Sequence, residues 1–203
     1  MDKVSLLRGY SIESVDRPVV FFGGRLTDQK GVDTLLRAAS IYSKIDGRPI
    51  TLIAGDGNLR DDLEKLAAEL KLDSVYFLGA QSHEQMVKLF NVADVAAMPS
   101  ILEAFGLVAL EALACGTPVI AGNVGGFSQI VNEQVGYLMK PGDSDTLAEK
   151  ITTFIRDGFK EKVRGKAAAY IRQNFSWDKT VENIEKIYEQ VLSHHNKVSD
   201  RGS

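Results

Sequence analysis

Five short apolar runs, rich in β-branched and small residues, punctuate the first 122 residues: PVVFFGG, PITLIAG, SVYFLG, DVAAMPS and TPVIAG. Between them apolar positions recur at steps of three and four. Val32, Leu35, Leu36, Ala39 and Tyr42 form one stripe, and Leu59, Leu63, Leu66, Ala67 and Leu70 a second. Met86, Leu89 and Phe90 mark a third, and the stretch from Gly106 to Ala114 a fourth. Such alternation predicts repeated strand, helix, strand units, and hence an α/β fold with a doubly wound parallel sheet. Pro118 opens its run, a position where a missing N–H is tolerated. Beyond Gly122 the pattern predicts a short helix over Phe127–Val131, a brief extended GYLM, and then helices. Their stripes are Leu147, Ile151, Ile155; Val163, Ala167, Tyr170, Ile171; and Val181, Ile184, Ile187, Tyr188, Val191. Asp143 or Ser144 and Ser176 stand where N-caps belong. Residues 1–17 and 196–203 lie outside these patterns and read as peripheral.

Composition narrows the class. With 203 residues, 44% of them hydrophobic and 25% charged, the chain can bury a full core in one domain. A net charge of −3 carries no basic excess, which argues against broad attraction to nucleic acid. Apolar runs fall far short of the roughly 20 residues a membrane helix needs, and Met1 to Arg17 lacks a signal-peptide centre, so a cytoplasmic location is expected. The single cysteine, Cys115, permits neither an internal disulfide nor a thiolate metal cluster, and in ALACGTP it reads as a small filler at a helix end. His83 stands alone and His194 and His195 sit in a polar tail; neither arrangement has metal-site spacing, so no metal is expected.

In a doubly wound sheet ligands bind beyond the carboxyl ends of the strands. Here those positions carry Gly23, Gly24, Arg25 and Lys30 after the first run, Gly55-Asp56-Gly57 after the second, Pro99 to Glu103 after the fourth and Gly122 to Gly126 after the fifth. Glycines there either bring backbone N–H groups close to a phosphate or simply make tight turns; both readings stand. GDGNLR lacks the third glycine of the dinucleotide fingerprint and follows the second run rather than the first, which is weak evidence for NAD. No Walker sequence occurs. Arg25 and Lys30 could converge on one anion, Arg as a planar fork and Lys as a point charge.

The segment PSILEAFGLVALEALACGTPVIA, Pro99 to Ala121, sets Glu103 and Glu111 eight positions apart, with the second carboxylate inside LVALEALA. An enclosed carboxylate needs a partner, from the protein or from a ligand. If both positions were helical they would lie about 12 Å apart, with the glycine-started helix beginning at Phe105-Gly106-Leu107 between them. A carboxylate repels phosphate. A diphosphate at that helix start would leave the glutamates to grip neutral hydroxyls on either side, and would draw Arg25 and Lys30 as balancing charge. Hydroxyls flanking a diphosphate describe a nucleotide sugar.

Several segments then resemble, in order and spacing, the C-terminal half of group 1 (family four) retaining glycosyltransferases, similar to glycogen and sucrose synthases. They are FFGGRLTDQKGVDTLLRAA, IAGDGNLRDDLEKLA, VYFLG, LFNVADVAAMPSILEAFGLVALEALACGTPVIAGNVGGFSQIV and FSWDKTVENIEKIYEQVL, spanning residues 18–192. The resemblance implies the donor-binding Rossmann-like half of a GT-B enzyme, preceded by a lead-in over 1–17 and followed by a flexible tail over 193–203. It implies Arg25, Lys30 and Glu103 in catalysis. For the donor it implies Gly23, Gly24, Gly55, Phe105, Gly106, Leu107 and Glu111, with the base against the loop around Leu78 to Ser82. It further implies a UDP-, ADP- or GDP-linked hexose as substrate, no metal or other cofactor, and a saccharide or lipid acceptor bound through an acceptor domain that this sequence does not contain. Peripheral membrane contact of the full-length enzyme also fits the family. Without that other domain the chain alone is expected to be inactive. A GT-B nucleotide-sugar epimerase, an NAD-binding domain and a non-enzymatic flavodoxin-like module are the competing classes.

Overall fold

The computed structural model describes residues 2–199, with side chains through residue 192. Six strands form one sheet: β1 (Val19–Gly23), β2 (Ile50–Ala54), β3 (Val75–Gly79), β4 (Val95–Met98), β5 (Val119–Gly122) and β6 (Gly136–Met139). All neighbours are parallel, in the order β3-β2-β1-β4-β5-β6. The chain winds outward from β1 in one direction and from β4 in the other. The topological switch point therefore falls between β1 and β4, where the connections diverge and leave a crevice at the carboxyl edge.

Both faces of the sheet are covered, and side-chain alternation shows how. Val19, Phe21, Ala96, Met98, Val119 and Ala121 point into one core, shared with α1 (Lys3–Gly9), α4 (His83–Val92), α5 (Leu107–Ala114), α6 (Phe127–Ile130) and α8 (Phe159–Phe175). Val20, Phe22, Val95, Ala97 and Ile120 point into the other, shared with α2 (Val32–Tyr42), α3 (Arg60–Glu69) and α7 (Ser144–Arg156). Strands buried on both faces read as continuous apolar runs, which is why the pattern marks them without polar alternation. Asp143 caps α7, accepting from the Thr146 N–H at 2.9 Å, and Ser176 accepts from the Lys179 N–H at 3.2 Å at the start of α9 (Trp177–Ser199). The extended GYLM is a full edge strand, β6, paired with β5.

Two expectations about the ends change. Residues 1–17 are not all peripheral: Leu6, Leu7 and Ile12 lie in the core beside Phe90 and Leu113. The pattern is too short to announce a helix, yet α1 buries its two leucines against a sheet face that would otherwise stand open. Conversely, the apolar stripe of α9 is exposed, with Ile184, Ile187, Tyr188 and Val191 all open to solvent. Its period is right for packing, but among the described residues no element covers it. Helical backbone runs through residues 193–199, the first part of the expected flexible tail; residues 200–203, and the side chains of His194 and His195, lie outside what is described.

Candidate functional site

The carboxyl ends of β1, β2 and β3 are stitched into one floor by backbone hydrogen bonds. Gly24 N–H donates to Ala54 O at 2.9 Å, Leu26 N–H to Asp56 O at 2.9 Å, and Gly55 N–H to Gly79 O at 2.8 Å. A β-carbon on Gly55 would collide with the Gly24 carbonyl oxygen. That glycine is accordingly explained by loop packing inside the protein, before any ligand is considered. Above the floor lies a cleft of about 370 Å³ lined by Gly23, Gly24, Arg25, Gly55, Gln81, Met86 and Val108, among others. A larger cavity of about 830 Å³ sits against Ser40–Arg48 and Leu70–Asp73, segments that precede β2 and β3. It is on the amino edge of the sheet, away from the switch point and its helix N-termini, so the smaller cleft is the better candidate.

Beside that cleft the loop from Pro99 to Gly106 crosses the crevice. Its backbone is tied to the short 3-10 turn Asp28–Lys30, with Ile101 N–H donating to Gln29 O at 2.9 Å. The two loops then share an ion pair: Lys30 Nζ donates to Glu103 Oε2 at 2.6 Å, with the side chains only 20% and 15% exposed. From below, Gly125 and Gly126 support the loop so closely that β-carbons there would strike the carbonyl oxygens of Glu103 and Phe105. Gly106, at φ +91°, turns the chain into α5. The first-turn amides of Leu107 and Val108 have no acceptor among the described residues, as helix geometry requires, and form a positive end open to an anion. Phe105 and Leu107 flank it, both exposed.

Arg25 is exposed on the cleft, and its side chain makes no hydrogen bond or ion pair among the described residues. The expected convergence of Arg25 and Lys30 on one anion is therefore only half formed here. Lys30 is already engaged by Glu103, whereas Arg25 is available.

Glu111 departs from expectation. The apolar setting of LVALEALA implies an enclosed carboxylate, but its side chain is 36% exposed. The reason is the helix phase: α5 turns Ala109, Ala112 and Leu113 to the core and leaves Leu107 outside. Its neighbour is the exposed imidazole of His83, Nδ1 to Oε1 3.8 Å, at the first residue of α4. Among the described residues no arginine is engaged with it. His83 looked isolated in the sequence because its partner is 28 positions away.

Around the third strand, Leu78 belongs to β3, and its carbonyl accepts from Gln81 Nε2 at 2.7 Å. Ser82 caps α4, accepting from the Gln85 N–H at 3.3 Å. The cleft wall itself is made by Ala80 and Gln81, which the sequence bracketed without singling out. Met86 and Val108, also missed, carry no sequence signal because they read as ordinary helix-face apolar residues. Among the described residues no group of three or more His, Cys, Asp or Glu could hold a metal ion, and no helix is long and apolar enough to cross a membrane.

An open six-stranded parallel sheet with a crevice at the β1/β4 switch, a helix N-terminus aimed at it and acid–base pairs on its rim is the Rossmann-like architecture of GT-B glycosyltransferases. Residues 10–174 match the family model of glycosyl transferases group 1. The chain belongs to that family. Among its relatives, an uncharacterised glycosyltransferase of Methanocaldococcus jannaschii is 35% identical over 94% of this chain and 49% of its own length. The D-inositol 3-phosphate glycosyltransferase of Salinispora tropica is 37% identical over 90% and 40%. Among solved structures, sucrose-phosphate synthase from Thermosynechococcus elongatus superposes with a TM-score of 0.78 at 30% identity, over 94% of this chain and 49% of that one. The Anabaena protein HepE, solved with UDP-glucose, gives 0.78 at 29%, over 94% and 52%. The chain spans about half the length of the relatives it matches.

Proposed function

We propose that this chain is the donor-binding half of a retaining glycosyltransferase that moves a hexose from a nucleoside diphosphate to a saccharide or lipid acceptor. The observation that carries the reading is the Lys30–Glu103 pair, set on two loops of the switch point beside the unpartnered N-terminus of α5. Cation, carboxylate and free amides together suit a molecule that is anionic at one end and hydroxylated at the other.

In this reading the diphosphate lies at the α5 N-terminus, with Arg25 and Lys30 as counter-charge. As the bond from the sugar C1 to the diphosphate oxygen breaks, negative charge grows on the leaving group, and fixed cations and amides stabilise it without having to reorganise. A carboxylate offers about four acceptor sites. Lys30 takes one on Oε2, which leaves Glu103 Oε1 to accept from a sugar hydroxyl and orient the ring. Glu111 accepts from the ribose, and the base rests on the Leu78–Ser82 loop. The acceptor hydroxyl would arrive on the face the diphosphate leaves, brought by a part of the protein outside this chain. The structural neighbour HepE, solved with UDP-glucose, supports such a donor.

Titration calorimetry of the chain with UDP, ADP, GDP, their glucose conjugates, and NAD tests the proposal. Binding of one nucleoside diphosphate series, strengthened or retained with the sugar attached, is the expected result. Binding of NAD alone, or of none of these, overturns it.

A further inference from the structure

The segment before β1 reaches into the cleft wall. Tyr10 closes α1, and the chain leaves that helix through paired hydrogen bonds: Ile12 N–H to Leu7 O at 3.1 Å and Ser11 N–H to Arg8 O at 2.9 Å. This is a Schellman termination, with Ser11 at φ +59° in the position that glycine usually fills. A non-glycine residue there is strained and persists only where surrounding contacts over-determine it. Those contacts are Leu7 and Ile12, the two residues the motif brings together, both fully buried. Tyr10 is thus held in place by its backbone and by its neighbours.

Its hydroxyl donates to Gln81 Oε1 at 2.7 Å across 71 residues, and Gln81 Nε2 donates to Leu78 O at 2.7 Å. Both ends of the amide are assigned, so the side chain can neither flip nor swing into the cleft without losing a bond. Burial raises the Tyr10 pKa, which keeps the phenol a donor. The segment so held is unusual in one respect: among the described residues no hydrogen bond engages the backbone N–H or C=O of Ala80 or Gln81. Both residues line the cleft. Ala80 is exposed and Gln81 partly so, which leaves these backbone donors and acceptors free to exchange water for a ligand, and the edge of a nucleobase presents partners in a pattern that differs from base to base.

We propose that Tyr10 is a positioning residue for nucleobase recognition, holding the Ala80–Gln81 backbone through the Gln81 amide so that it can read the edge of the base. This rests on the donor reading above. The specificity of the site for one base would then depend on a residue that lies outside the sheet and never touches the ligand. A clamp of this kind affects only what the loop contacts. Its removal should weaken the nucleoside end of the ligand and leave the phosphate end alone.

The test uses the full chain and calorimetry with UDP, ADP, GDP and inorganic pyrophosphate. Tyr10→Phe removes one hydroxyl and is expected to weaken the preferred nucleoside diphosphate about tenfold, narrow the ratio between preferred and disfavoured bases, and leave pyrophosphate unchanged. Gln81→Ala should show the same pattern, and the double variant no additional loss, because both changes cut one chain of bonds. Should Tyr10→Phe fail to fold, Gln81→Ala carries the same prediction. Unchanged base ratios in both variants, or equal losses for pyrophosphate and nucleotide, overturn the inference while leaving the donor site standing. If the unmodified chain binds pyrophosphate but no nucleoside diphosphate, the donor reading itself has failed, and this inference with it.

Discussion

Lys30 donates to Glu103 at 2.6 Å although 73 residues separate them, and the bond joins the loop after β1 to the loop after β4 across the switch point. With only a fifth or less of either side chain exposed, the pair differs from a surface salt bridge, whose worth is usually below about 1 kcal/mol. Each partner depends on the other for compensation. Removing Lys30 strands a shielded carboxylate; Lys30→Met is expected to cost about 1–3 kcal/mol in chemical denaturation. Glu103→Gln keeps an acceptor for Lys30 and should cost less than Lys30→Met. The reverse order would mean that the pair does not hold the loops together.

Arg25 separates binding from folding. Its side chain has no partner within the described protein, so Arg25→Ala should leave stability within about 0.5 kcal/mol. Loss of a charge-assisted contact to phosphate should weaken nucleoside diphosphate about 10–100-fold and the uncharged nucleoside hardly at all. Comparable losses for both ligands in calorimetry would remove Arg25 from the phosphate site.

The Glu111 side chain is about a third exposed, and the far more exposed His83 imidazole lies 3.8 Å from it. Glu111→Gln should therefore leave the melting temperature unchanged while weakening a ribonucleoside diphosphate about tenfold. Pyrophosphate, which has no ribose, should bind as before. A melting temperature that falls with no change in nucleotide affinity would return Glu111 to a purely structural role.

The loop that carries Glu103 rests on Gly125, at φ +47° with its Cα facing the Glu103 carbonyl oxygen. Gly125→Ala introduces both a strained backbone and a collision with main chain, which cannot rotate aside as a side chain could. A loss of about 2 kcal/mol or more is expected in denaturant titration, along with weaker nucleotide binding because the Glu103 loop must shift. Wild-type stability in this variant would show that the loop is free to move.

Lys160 provides a pH signature of the fold. It is buried beneath the end of α4, donating to Asn91 O at 2.7 Å and Ala93 O at 2.6 Å, and desolvation lowers its pKa from the ordinary 10.5. Between that lowered value and 10.5 the unfolded chain holds more protons than the native one, so this group makes stability rise with pH across the interval. Below the interval the penalty for burying its charge is fully present. Lys160→Met should remove that rise from the alkaline part of a stability-versus-pH profile, and an unaltered profile would show that Lys160 does not lose its proton in the native state.

The alternation of β-rich runs with helical stripes was enough to predict the parallel sheet, because strands buried on two faces must be apolar throughout and their covering helices must be amphipathic. The glycines and charges after each strand were legible for a related reason: in such a sheet every loop at the carboxyl edge opens onto the same crevice. Helix phase was harder to read. LVALEALA looks uniformly apolar, and only packing shows that Leu107 faces out and Glu111 lies at the margin. The α9 stripe has the right period for a core, but periodicity does not supply a partner.

The sequence by itself determined the fold class, the family and the strand ends from which a site could be built, since these follow from local patterns that solvent and backbone geometry impose on any chain. Only the tertiary structure decided which groups are already paired. Lys30 with Glu103, His83 beside Glu111, and Tyr10 on Gln81 are contacts across 73, 28 and 71 positions. No local periodicity encodes such contacts, because they exist only once the sheet has brought its loops to one edge.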